Sequence, residues 1–457
     1  MHKLKELLDN SAIRKCISLL STDVLVRGAN FLLIPVFLHL MTKNDFGVYG
    51  YLYNFAMSCS LILNLGYHVA LPKLYVQTSE DKQSNSSMLF TLTTLLFSFV
   101  CSVFLLFYLT DLDFKFFNIV NKGENAQFDY TTYRPYLFVA TASMIFSNFL
   151  TYYFISSKKI KNIQFFNLIR LFLCNGTAIL VLYLSKDTDT VMLRLCCTYL
   201  SELLLCILFF GGVIRQMRAV FCRNYVTKAL KIGLPICSVA LINTFINFGD
   251  KQFVMMYCGN ETMGAYNLAT TLATIPLIVF QSFNFVWLPD FLAEKDLATL
   301  NRKTNRNAKL VFLVLLGVSL VVWIGTYFLL LWGVFPQNYK EIISFLPILL
   351  LSQIFASMIL YYFNSFTYFE KTYIPMIVSI ASAALSYVLY SVLGKAFGVM
   401  GIATALTAVN LLVATSYMLL SKRYIERAEG KIAYTMPCKE EEGDSQMIQK
   451  QINYGKE

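Results

Sequence analysis

The chain has 457 residues, of which 57% are hydrophobic and 14% charged, and its formal net charge is +11. Globular proteins carry about 25% charged residues, so this composition excludes an ordinary soluble domain. The basic residues form no compact domain, which argues against nucleic-acid binding. The three histidines are scattered and the eleven cysteines contain no C-x-x-C pair, so we predict no metal site and no cofactor.

The apolar residues fall into blocks of about 20, the length that a helix needs to cross a hydrocarbon core. They predict an all-α polytopic membrane protein with twelve transmembrane helices, at residues 16–39, 46–71, 88–110, 135–155, 163–184, 191–214, 232–250, 264–288, 308–332, 343–369, 374–394 and 398–421. None of the loops is long enough to fold a catalytic domain. We therefore predict that the protein is not an enzyme and that its function resides in the helical bundle.

Lysine and arginine are unevenly distributed between the two sides of this bundle. The N-terminus, the even-numbered loops and the C-terminal tail hold 27 of the 38, whereas the opposite loops, to which we assign Arg194, hold nine. Because cytoplasmic loops are enriched in Lys and Arg, both termini are predicted to be cytoplasmic. Two termini on one side need an even number of spans, and twelve is even.

An internal repeat relates residues 30–72 to residues 247–289 without a gap, and eight of the 43 aligned positions are identical. Both segments contain a helix end, a G-x-Y turn, a second helix and a Leu-Pro exit. Such a repeat predicts two six-helix lobes of equal orientation, an architecture typical of transporters with a site between the lobes. The predicted parts are a cytoplasmic N-terminus (1–15), an N-terminal lobe (16–214), a cytoplasmic linker (215–231), a C-terminal lobe (232–421) and a cytoplasmic tail (422–457).

Polar residues in the first span are candidates for a substrate site. Asp23, Arg27 and Asn30 share one helical face at spacings of four and three. A charge at the bilayer centre costs about 2.5–3.5 kcal/mol, so a cavity lined with cations would lower the barrier for an anionic substrate. The alternative is that Asp23 and Arg27 neutralise each other and only pack the lobe.

The same spacing recurs in the seventh span, which favours a central site lined by both lobes. Its members are Asn243, Asn247 and Asp250. Asp250 is predicted near the external end of its span, where an interfacial role is the alternative.

Two further charges lie within spans five and six. Arg170 has Asn167 on its face, and a guanidinium can bind phosphate oxygens in a bidentate manner. Its alternative is to extend to the nearby cytoplasmic surface. Glu202 is expected either to pair with Arg170 or, like Asp23, to bind a coupling proton or sodium ion.

Two segments carry a resemblance to a known family: FLLIPVFLHLMTKNDFGVYGYLYNF (31–55) and LPICSVALINTFINFGDKQFVMMYCGNETMGAYNLAT (234–270). They resemble the polysaccharide flippases of the multidrug/oligosaccharidyl-lipid/polysaccharide superfamily, and most of all the O-antigen translocases. This resemblance implies a V-shaped cavity that opens alternately to either side of the bacterial inner membrane. The implied substrate is an undecaprenyl-pyrophosphate carrying one oligosaccharide repeat unit, for O-antigen of lipopolysaccharide or a related surface polysaccharide. Membrane lipids and other polysaccharide-assembly proteins are the further expected partners.

Two other functions are weighed against this flippase. A cation or drug exporter of the same superfamily would share the fold but present carboxylates in its cavity, so Arg27 and Arg170 favour the flippase. A membrane polysaccharide polymerase would carry a large external loop with catalytic Arg or His residues. The longest external loop, 111–134, is short, contains no His and has Arg134 as its one arginine.

Overall fold

The computed structural model describes residues 11–78, 80–121, 128–185, 189–294, 296–369, 371 and 373–435, which contain helices and no strand. A short 3-10 helix lies at Gln337–Tyr339. The α-helices are α1 (Ser11–Leu40), α2 (Lys43–Leu63), α3 (Tyr67–Thr78), α4 (Lys82–Thr110), α5 (Leu112–Asn121), α6 (Tyr130–Ser156), α7 (Ile160–Leu184), α8 (Thr190–Ile214), α9 (Arg223–Ala293), α10 (Leu297–Leu331), α11 (Ile342–Tyr368) and α12 (Tyr373–Thr435).

The two longest helices each consist of two helices joined at a glycine. Gly259 in α9 has φ 83° and Gly398 in α12 has φ 57°, values that glycine adopts at low cost. Nine stretches of the described chain are long and apolar enough to cross a membrane, and Leu25–Leu40 is a shorter apolar helix. Two of the nine contain these glycine breaks and count as two spans each. Together with Leu25–Leu40 this gives twelve spans, the predicted number.

Aspartates begin several helices by accepting hydrogen bonds from backbone N–H groups of the first turn. Asp81, Asp129, Asp189 and Asp296 do so for α4, α6, α8 and α10. The Ser84 hydroxyl, followed by the Gln83 N–H, lowers the pKa of Asp81. These caps fix where the helices start, and the cap at Asp189 places Arg194 inside α8.

The helices of each half of the chain pack mainly on one another. In the first half, α8 packs on α6 and α7, α1 packs on α7, and α2 packs on α6; in the second half, α11 packs on α9, α10 and α12. The two halves meet chiefly along α2 and α9. This arrangement is that of two lobes, and the exact boundaries given above stay a prediction.

Repeat-related residues meet where α2 contacts α9. A Cβ atom added to Gly47 would overlap the carbonyl oxygen of Asn260 and lie 2.7 Å from the nitrogen of Gly264. One added to Gly264 would overlap the carbonyl oxygen of Lys43 and lie 3.3 Å from the nitrogen of Gly47. Since Gly47 aligns with Gly264 and Lys43 with Asn260, the pseudo-twofold axis of the repeat passes through this contact.

Helix α9 also meets the turn that follows α2. A Cβ atom on Gly233 would overlap the carbonyl oxygen of Leu65, and one on Gly66 would overlap the carbonyl oxygen of Gly233. Near the first contact, Lys43 Nζ lies 2.8 Å from Glu341 Oε1. The lobes therefore touch at two separate places, one on α2 and one in the turn that follows it.

Candidate functional site

A cavity of about 530 Å³ lies among α1, α2, α6, α7 and α8, and α9 contributes to its wall. This volume falls in the range of small-molecule sites. Amide groups are frequent among the aromatic and aliphatic side chains of the wall, from Asn30, Asn148, Asn167, Asn175 and Asn267. The charged residues of the wall are Arg170, Arg194 and Glu202. A polar cavity enclosed by apolar helices can hold a hydrophilic group within the depth of the membrane.

Arg170 and Glu202 form an ion pair in this wall. Nη2 of Arg170 lies 2.8 Å from Oε1 of Glu202, and the Glu202 side chain is only 2% exposed against 39% for Arg170. A buried carboxylate is costly unless it is paired, and the Arg170 guanidinium is the partner of Glu202. The pairing that the sequence left as one alternative is therefore present, and Arg170 lines the cavity rather than extending to the surface.

The polar residues of the first span lie in two different places, one at the cavity and one at the contact between the lobes. Asn30 lines the cavity, where its Oδ1 accepts a hydrogen bond of 3.2 Å from Nδ2 of Asn175. Arg27 instead donates from Nη1 to Oε1 of Gln281, 3.0 Å away on α9. Arg27 thus lies at a contact between the two lobes. The side chain of Asp23 lies outside the described residues, and so does its predicted pairing.

The polar stripe predicted in the seventh span does not reach this cavity at Asp250. Its side chain is 2% exposed and accepts a 2.8 Å hydrogen bond from the Tyr266 hydroxyl. Nζ of Lys251 lies 3.3 Å from the same carboxylate. Asp250 therefore lies in the interior of the second lobe, because its helix turns this face towards Tyr266. The side chains of Asn243 and Asn247 lie outside the described residues.

Arg194 was wrongly assigned to an external loop and belongs to the cavity. Its Cζ lies 3.7 Å from the ring centroid of Phe37 and 3.8 Å from that of Tyr49. Its Nε is buried without a hydrogen-bond partner, and no carboxylate of a described residue forms an ion pair with it. The signal in the sequence is Asp189, which is a typical helix cap five residues before Arg194.

Apolar helices in two repeat-related lobes, with a polar cavity among them, define a polytopic membrane protein of the transporter type. The chain belongs to the polysaccharide biosynthesis protein family, whose model matches residues 12–293. This confirms the predicted resemblance to the polysaccharide branch of its superfamily. No curated protein matches the chain.

Several solved structures share the fold. The inward-facing conformation of a multidrug resistance MATE family transporter of the MOP superfamily has a TM-score of 0.68 and 14% identity, covering 89% of this chain and 99% of that one. The lipid II flippase MurJ in its inward closed conformation has a TM-score of 0.63 and 16% identity, covering 88% and 87%. An outward-facing conformation of a MATE family transporter of the same superfamily has a TM-score of 0.57 and 13% identity, covering 92% and 96%. At these identities the similarity establishes the fold alone.

Proposed function

We propose that this protein is a flippase that moves undecaprenyl-pyrophosphate-linked oligosaccharide repeat units across the bacterial inner membrane by alternating access. The units would belong to O-antigen or a related surface polysaccharide. The observation that carries the proposal is the polar cavity, since five asparagines and two arginines line it within a bundle of apolar helices. Membership in the polysaccharide biosynthesis family supports the same substrate class.

The cavity has the chemistry that a glycan requires. Sugar hydroxyls both donate and accept hydrogen bonds, and removing them from water without partners is costly. Each asparagine amide offers two donors and a carbonyl acceptor, so the wall can replace water around a sugar. The polyprenyl tail needs no cavity because it can stay in the lipid.

The diphosphate is assigned to Arg27. This residue lies between the lobes and donates to the neutral Gln281, so parting of the lobes would break this contact and make Nη1 available to the substrate. A planar guanidinium binds phosphate oxygens in a bidentate manner. Asp23, Asn243 and Asn247 remain candidates for the same interlobe site.

Ion coupling is assigned to Glu202, with Asp23 as the other candidate. Protonation of Glu202 would remove its attraction to Arg170, 2.8 Å away, and free that arginine to bind an anion in the cavity. Proton binding at Glu202 and substrate binding at Arg170 would then favour each other.

Alternating access requires the two contacts of α9 with the first lobe, at Gly47 and at Gly66, to part in turn. Both termini are assigned to the cytoplasm, which places the Gly47–Gly264 contact and the Lys43–Glu341 pair towards the exterior. The conformation described is then closed on its external side.

A cation or multidrug exporter is the second candidate, and the buried Glu202 is the observation in its favour. The wall of the cavity nevertheless holds two arginines and one glutamate, so its formal charge is positive and unsuited to a cation. A polysaccharide polymerase is the less favoured alternative, because the related folds belong to transporters and a flippase.

The test is deletion of the gene in its host, followed by assays of surface glycan and of polyprenyl-linked repeat units. The expected result is loss of surface glycan with completed lipid-linked units accumulating on the cytoplasmic side, restored by the gene on a plasmid. Normal surface glycan would overturn the proposal. Increased sensitivity to cationic dyes in that case would favour the exporter.

A further inference from the structure

The cavity wall carries one positive charge more than its carboxylate balances. Arg170 is neutralised by Glu202. Arg194 forms no ion pair with a described residue, and its polar neighbours are the sulfur of Met41, 3.3 Å from Nη1, and the hydroxyl of Tyr49. A buried N–H without a hydrogen-bond partner is unfavourable, and Nε of Arg194 is such a group. Such a guanidinium is suited to an anion that the protein itself does not supply.

Aromatic rings hold the Arg194 guanidinium in place. It lies over the rings of Phe37 and Tyr49, and Tyr49 stacks on Tyr53 with centroids 6.2 Å apart and an interplanar angle of 16°. Contacts between a cation and aromatic rings occupy the faces of a guanidinium and leave its edge, which carries the donors, for a ligand. Tyr49 and Tyr53 line the same cavity and can pack against a sugar ring.

Arg194 and the Arg170–Glu202 pair lie at different levels of the cavity. Arg194 precedes Glu202 by eight residues on α8, which is about 12 Å along the helix axis. That separation exceeds the length of one hexopyranose ring. Asparagines on α1, α6 and α7 also line the cavity.

We propose that Arg194 forms a specificity subsite for an acidic sugar, whose carboxylate it binds while the sugar ring packs against Tyr49 and Tyr53. The inference rests on the proposed flippase function and adds to it that the transported glycan is acidic. A carboxylate is favoured over the diphosphate because the diphosphate is joined to the lipid. The diphosphate is assigned to Arg27, which lies at the contact between the lobes. Arg194 instead lies among aromatic rings inside one lobe.

The test uses the full-length protein in lipid nanodiscs and three soluble probes: methyl β-D-glucuronide, methyl β-D-glucoside and inorganic pyrophosphate. Binding is measured by saturation-transfer NMR titration. The wild-type protein should bind the glucuronide at least about tenfold more tightly than the glucoside, since the pair differs by one charge-assisted contact. Arg194→Gln should abolish this preference, so that the glucuronide binds no more tightly than the glucoside.

Two further variants separate recognition from folding. Arg194→Lys keeps the charge and should retain part of the preference, and Arg302→Gln, an exposed arginine on α10, should retain all of it. The proposal would be overturned if the wild-type protein bound the glucuronide no more tightly than the glucoside, or bound neither. It would also be overturned if Arg194→Gln still preferred the glucuronide. Pyrophosphate binding that is lost in Arg194→Gln, without a glucuronide preference, would assign Arg194 to the diphosphate instead.

The deletion assay keeps the two proposals distinguishable. If the glycosides are not discriminated but the deletion strain lacks surface glycan, the flippase function stands and the acidic-sugar subsite fails. If the deletion strain has normal surface glycan, the transport function itself fails whatever the probes show.

Discussion

Replacing Gly47 with alanine should weaken the contact that closes the two lobes. The added Cβ atom would overlap the backbone oxygen of Asn260, which belongs to a helix and cannot turn away as a side chain can. Overpacking of this kind costs about 1–3 kcal/mol. Because the strain exists only while the lobes touch here, it should lower the population of this closed conformation roughly 5- to 150-fold relative to the open one.

The assay measures how often this side opens. A cysteine replaces Thr271, which lines the cavity from α9, in a background without the native cysteines. Labelling by an impermeant maleimide is then followed in right-side-out membrane vesicles. The rate should rise in Gly47→Ala in proportion to the open population, and surface glycan should fall because the cycle is biased to one side.

The matched control is Gly176→Ala in α7, where an added Cβ atom meets no atom within 4 Å. This variant should label at the parental rate, since it makes a similar change in a helix without touching the other lobe. Parental labelling in Gly47→Ala, or an equal increase in both variants, would refute the assignment of this contact as the external closure.

Three other substitutions test the charged and polar contacts. Arg27→Ala should abolish or sharply reduce surface glycan with normal protein in the membrane fraction; full activity would refute the diphosphate role. Glu202→Gln should lower stability by about 1–3 kcal/mol, between an exposed and a buried pair, since Arg170 is partly exposed; an unchanged thermal midpoint in detergent would contradict this. Tyr266→Phe should cost about 1–3 kcal/mol by leaving a buried aspartate with one donor fewer, whereas Tyr387→Phe, at an exposed tyrosine, should have no effect in the same thermal assay.

The bundle was predictable from the sequence because a membrane span needs a fixed length of apolar residues. The twelve blocks correspond to the helices, and the repeat identified the pair of glycines at the pseudo-twofold axis. The short helix α5 was not predicted, since its ten residues are too few to span a bilayer. The break at Gly259 lies between two predicted spans, and the break at Gly398 is the first residue of the last predicted span. Hydropathy does not show that the neighbouring helices continue up to these glycines.

The site was less predictable, because hydropathy does not determine which face of a helix meets which neighbour. Arg170 and Glu202 are 32 positions apart, and only the packing of α7 on α8 showed that their side chains touch. Asp250 shares the spacing of the first-span residues, yet its helix turns it towards Tyr266. Arg194 was misassigned because one charge near a span boundary can belong to the loop or to the helix.

The repeat-related residues divide into two groups with different roles. Gly47 and Gly264 contact each other and serve the same purpose in both lobes. Tyr49 and Tyr266 are also equivalent, but Tyr49 lies under a cation at an open cavity, whereas Tyr266 donates to an aspartate in a closed interior. Residues on the axis must keep their contact for the lobes to meet, whereas residues away from it are free to diverge. The proposed glycan site is therefore expected in the first lobe alone, with the second lobe as the surface against which it closes.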